Sequence, residues 1–120
     1  MDTPKKYDLE ERLVDFAVMV ISIAEKLPPT YAGNHLGGQL TRSGTAPALN
    51  YGEAQAAESK RDFLHKMGVC LKELRESQVC LKIIIAKPLL SEAAVQPVLQ
   101  ESSELVAIFT TIIKRSKTKT

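Results

Sequence analysis

Tryptophan is absent from this chain, and the aromatics present are three tyrosines and three phenylalanines. A core built from this set must be aliphatic, which suits helix packed on helix better than a β-sandwich. A strong charge of either sign is missing too, since 16 basic residues face 14 acidic ones for a net charge of +2. That balance speaks against a dedicated nucleic-acid binder, in which a large basic excess is expected. No apolar run is long enough to span a bilayer. The longest, Leu13 to Ala24, contains Asp15 and follows Asp8, Glu10 and Glu11, so it is not a signal peptide either. The expected location is the cytoplasm, with no membrane partner.

Cysteine is scarce. Cys70 and Cys80 fall in one expected helix, where ten residues place them about 15 Å apart, beyond disulfide reach. They read as small core or interface residues in a reducing compartment. Phosphate-binding loops, dinucleotide fingerprints and zinc-protease motifs are all missing.

What is present is helical periodicity, in a length of 120 residues that fits one domain over 1–120, with flexible ends at 1–7 and 115–120. The first segment runs from about Asp8 to Leu27. Leu9, Leu13, Phe16, Val20, Ala24 and Leu27 follow bundle spacing, and Pro28-Pro29 ends the helix. The second, about Thr30 to Ala57, holds Gly37, Gly38, Gly44 and Pro47, so a helix kinked or broken near Ser43–Pro47 is expected. The third, about Lys60 to Lys87, is capped by Ser59 and carries a stripe through Leu64, Met67, Leu71, Leu74, Leu81 and Ile85. Ser91 caps the fourth, in which Pro97 either starts the main helix or kinks it, and Val98 to Ile113 supply the apolar stripe. Short connections make neighbours antiparallel. The fold class is therefore all-α, an up-and-down antiparallel four-helix bundle.

The first helix breaks the amphipathic rule. Val14, Val18 and Ile21 form a second apolar stripe with Met19 and Ile23 beside it, leaving only Asp15 and Ser22 polar between Leu13 and Ala24. A helix apolar nearly all round is buried nearly all round, and in a domain this small the second cover comes from another subunit or a partner. Val14, Val18, Met19 and Ile21 are thus the expected homo-oligomer interface.

Catalytic arrangements are not evident. A di-metal bundle site needs paired Glu-x-x-His motifs, whereas this chain offers Asp62-x-x-His65 and Glu73-x-x-Glu76 once each. No His-acid pair accompanies Ser43 or Thr45. No catalytic residue, metal or cofactor is expected. The polar residues Arg42, Ser43, Asn50, Glu53, Asp62, Glu73 and Glu76 read as a network fixing the register of the middle helices, or as a partner site. Lys114, Arg115, Lys117 and Lys119 form a terminal cluster without acids and are the candidate nucleic-acid contact.

Two runs are distinctive: Arg42-Ser-Gly-Thr-Ala-Pro-Ala-Leu-Asn-Tyr-Gly-Glu-Ala-Gln55 and Asp62-Phe-Leu-His-Lys-Met-Gly-Val-Cys-Leu-Lys-Glu-Leu-Arg-Glu-Ser77. They resemble the signature of the 23S rRNA intervening-sequence family of bacterial four-helix bundle proteins. Leu9-Glu-Glu-Arg-Leu-Val-Asp-Phe-Ala17 and Glu104-Leu-Val-Ala-Ile-Phe109 fit the same likeness. The resemblance implies a ring-shaped homopentamer. The fold is also similar to the accessory variability protein of diversity-generating retroelements, a nucleic-acid-binding pentamer. Two functions stay open: a non-catalytic oligomeric scaffold for RNA, DNA or a nucleic-acid-associated protein, and a protein-protein adaptor that binds no nucleic acid.

Overall fold

The computed structural model describes residues 8–118 and consists of four helices joined by short loops. Helix α1 spans Leu9–Lys26, α2 Tyr31–Gln55, α3 Lys60–Ala86 and α4 Glu92–Thr118. Each start is fixed by a side-chain oxygen that takes a backbone N–H left over by the first turn. Asp8 accepts from the Glu10 N–H at 3.1 Å and Thr30 from Gly33 at 3.0 Å. Ser59 accepts from Asp62 at 3.0 Å and Ser91 from Ala94 at 3.2 Å. Pro28 follows the end of α1 and Pro88 that of α3, where a ring without an N–H cannot extend the helical ladder.

Consecutive helices pack side by side and α4 returns, more sparsely, to α1. The result is the up-and-down antiparallel four-helix bundle expected from the sequence, with α1 and α3 on opposite corners. All four helices feed one apolar cluster. Leu13, Phe16 and Val20 come from α1, Leu40 from α2, Leu74, Leu81 and Ile84 from α3, and Leu105 and Phe109 from α4. At about 1.5–3 kcal/mol for each fully buried large apolar side chain, this cluster is the main source of stability.

The prolines inside α2 and α4 leave both helices continuous. Helix α2 is not broken: it runs without interruption through Ser43, Gly44 and Pro47. Pro47 removes one ladder bond and disfavours a helix interior by about 3 kcal/mol. That cost is offset because α2 lies between α1 and α3, with Ser43, Gly44 and Pro47 all buried there. The Pro47 carbonyl also accepts from the Cys70 thiol at 3.4 Å. Likewise α4 begins at Glu92, so Pro97 lies inside the helix and is not its first residue. Residues 115–118, expected in a flexible end, continue α4. Residues 1–7 lie outside the described residues, as does Lys119.

The glycines give α2 its close contact with α1. A Cβ placed on Gly44 would lie 2.4 Å from Val20 Cγ1 and 2.8 Å from Val20 Cβ. Only a hydrogen fits there, so Gly44 sets the spacing between α1 and α2 at mid-bundle.

Candidate functional site

The outer face of α1 is the most unusual surface. Periodicity of 3.6 residues turns Leu13, Phe16, Val20 and Ile23 to the core, which leaves 14, 18 and 21 facing away from it. Val14, Val18 and Ile21 are accordingly 47%, 57% and 37% exposed. Met19, expected with them, is half-buried and packs against the core of its own chain. Three β-branched apolar side chains in a row face water, flanked along the helix by Glu11 and Glu25.

The polar residues of the middle helices separate into three groups. Arg42 of α2 bonds Glu73 through Nη1 at 3.1 Å and Glu76 through Nη2, both on α3. Behind it, Ser43 Oγ and Ser77 Oγ meet at 2.9 Å in full burial, and Ser77 donates to the Glu73 carbonyl at 2.9 Å. This cluster locks the register of α2 against α3. Glu53 forms its own pair, with Lys66 Nζ at 2.6 Å, one end further along the same seam. Asn50 turns back to the Ala46 carbonyl within α2 at 2.9 Å. Asp62 stands apart from these; its backbone N–H donates to the Ser59 hydroxyl that caps α3. Of the seven residues expected in one network, four come together with Ser77 added.

Sequence reasoning missed the clamp on the other side. Arg12 Nε bonds Glu101 at 2.7 Å and Nη2 reaches Glu101 at 3.0 Å and Glu104 at 2.6 Å, tying α1 to α4. The two-toothed geometry to Glu101, reinforced by Glu104, holds the guanidinium charged well above its ordinary range. Glu104 is held below the usual carboxylate range by Gln100 first and Arg12 second. The signal was faint, since Arg12 and Glu101 are 89 residues apart and each looks like ordinary surface.

Both thiols are buried. Desolvation pushes Cys70 up to about 12 and Cys80 up to about 11, which suppresses the thiolate at neutral pH. Among the described residues, no group of three or more His, Cys, Asp or Glu is arranged to hold a metal. A groove of about 430 Å³ lies between the end of α1 and the start of α2, lined by Ala24, Leu27, Gly33, Gly37, Gly38 and Thr41 with Glu25 and Asn34 at its edge. No helix among the described residues is long and apolar enough to cross a membrane.

Of the terminal cations, Lys114, Arg115 and Lys117 are exposed in the last turns of α4. There they also complement the negative end of the helix dipole.

These features define a class: an antiparallel four-helix bundle whose polar pairs stitch helices together and whose first helix shows water an apolar face. The sequence model of the family described as 23S rRNA-intervening sequence protein matches residues 5–111. The chain belongs to that family. It is similar to a crystal structure of a protein of unknown function from the S23 ribosomal protein family of Bacteroides thetaiotaomicron. That likeness has 26% identity and a TM-score of 0.83, covering 89% of this chain and 99% of the other. None of the curated proteins matches the chain.

Proposed function

We propose that this protein is a non-catalytic, homo-oligomeric helical-bundle scaffold, a pentameric ring in the bacterial cytoplasm, that binds RNA or an RNA-associated protein. The observation that carries the reading is the exposed apolar face of Val14, Val18 and Ile21 on α1. A helix of a small bundle that presents apolar side chains to water gains free energy by docking them on another subunit. The family description supports a connection with ribosomal RNA. Lys114, Arg115 and Lys117 supply the phosphate-facing charge, and a closed ring repeats a modest cluster once per subunit.

A protein-binding adaptor is the second reading. It is favoured by Tyr31 and Leu49 on α2, large side chains that are both well exposed. Light scattering on a sizing column, with absorbance read at 260 and 280 nm, tests both. With three tyrosines and no tryptophan the protein absorbs weakly, so bound RNA stands out. A discrete oligomer with excess absorbance at 260 nm supports the RNA scaffold. A clean oligomer favours the adaptor, and a monomer overturns the assembly.

A further inference from the structure

The apolar face of α1 has a counterpart on the opposite corner of the bundle. Core residues Cys70, Ser77, Leu81 and Ile84 point α3 inward, so positions 72, 75, 79, 82 and 83 face out. Val79 and Ile83 are 56% and 47% exposed there. The two faces are opposite in charge. Every exposed charged residue of α3 is basic, Lys72, Arg75 and Lys82 among them. Along α1 the exposed charges are Glu10, Glu11, Asp15 and Glu25 against Lys26 alone.

We propose that the outer face of α1 on one copy docks on the outer face of α3 on the next, head to tail. The proposal rests on the homo-oligomeric reading and assigns its two surfaces. Val18 and Ile21 pack against Val79 and Ile83, and the acidic flanks of α1 lie beside Arg75 and Lys82. Both apolar patches are covered at once, which a docking of α1 on α1 leaves undone. Charge selects the same pairing. Like faces brought together across a two-fold axis set acid against acid or base against base, whereas unlike faces attract. Because α1 and α3 sit on opposite corners, each subunit keeps a free patch of the other kind after docking. Such a heterologous contact propagates from copy to copy, and the proposed ring is the case in which its rotation closes.

The test uses two full-length variants, Val18→Arg on α1 and Val79→Glu on α3, each setting a like charge against the facing patch. Both sites are exposed, so circular dichroism should show unchanged helicity. Light scattering is expected to find each variant alone at the monomer mass of 13.2 kDa. An equimolar mixture is expected to reassemble to at least twice that mass, because one intact α1 face still meets one intact α3 face. As a second measure, Glu25→Lys and Lys82→Glu should each loosen assembly, and their combination in one chain should restore it. If Val79→Glu assembles like the unmodified chain, or the mixture stays monomeric, the pairing is wrong although the oligomer stands. If Lys82→Glu strips co-purifying nucleic acid without changing mass, α3 is a phosphate-contacting surface and the proposal falls. A monomeric unmodified chain overturns the oligomeric reading itself.

Discussion

Replacing Gly44 by alanine separates packing from helix propensity in one substitution. In an exposed helix interior, Gly→Ala stabilises by about 1 kcal/mol through lost unfolded-state freedom. At Gly44 the new methyl would meet three atoms of Val20 between 2.4 and 2.8 Å away. Val20 cannot turn aside, because its Cβ is itself one of the three and a β-branched side chain has one strongly preferred rotamer in a helix. Helices α1 and α2 must therefore move apart by roughly 1 Å to restore ordinary carbon contact distances. Overpacking of this kind costs about 1–3 kcal/mol. The clash here involves a whole side chain in a fully buried position, which places the cost at the upper end. Set against the propensity gain, the net expectation is a loss of about 1–2 kcal/mol.

Urea unfolding followed by ellipticity at 222 nm measures it, with Gly38→Ala as the control. Gly38 lies in the same helix, and a Cβ there meets nothing within 4 Å. Gly38→Ala should move the midpoint up and Gly44→Ala should move it down. Adding Val20→Ala to Gly44→Ala should then destabilise less than Val20→Ala does alone, since the new methyl enters the space Val20 leaves. A Gly44→Ala protein as stable as the Gly38→Ala control would refute the close approach of α1 to α2.

Three further perturbations address the ion pairs, the thiols and the terminal charge. A double-mutant cycle of Arg12→Met and Glu101→Gln, read by urea unfolding, should give a coupling of about 1 kcal/mol after discounting for solvent. Because Glu104 is held below the ordinary carboxylate range, its contribution is present above that range and lost as pH falls through it. Glu104→Gln should therefore flatten the acid limb of the stability profile. Cys70 and Cys80 bind their protons more tightly folded than unfolded, so stability should decline as pH rises from 9.0, the ordinary thiol value, toward about 11. A thiol reagent at pH 8 should label them only as fast as the chain opens, and immediate labelling would contradict their burial. Changing Lys114, Arg115 and Lys117 to Gln should lower the slope of log affinity for RNA against log salt by roughly two to three, and an unchanged slope would exclude the tail as the contact.

The parts of this fold that were legible in the sequence are those written at helical spacing. Leu13, Phe16 and Val20 carry their burial in their positions, and Thr30, Ser59 and Ser91 announce helix starts because their oxygens act within three residues. Long-range pairs are different in kind. Ser43 with Ser77, and Arg12 with Glu101, are set by how helices lie against each other, and nothing local distinguishes Arg12 from a solvated arginine. Helix α2 shows the opposite case, where a local rule was present and lost. Gly44 and Pro47 weaken a helix in isolation, yet between α1 and α3 one supplies the room for Val20 and the other a carbonyl for Cys70. Propensity is a term of about 1–3 kcal/mol, and the burial of Leu40, Pro47 and Ala54 on that helix outweighs it.

The same reasoning explains why the candidate interface was only half visible. The outer face of α1 was legible because Val14, Val18 and Ile21 are anomalous on any amphipathic helix. Val79 and Ile83 sit among lysines and arginines, so their row reads as a solvated face until the bundle shows that they point out and that α1 stands diagonally opposite. A contact surface made of few apolar residues among charges of one sign is defined by its partner, and in the proposed pairing the complementary face lies on α1, 58 or more residues earlier in the sequence.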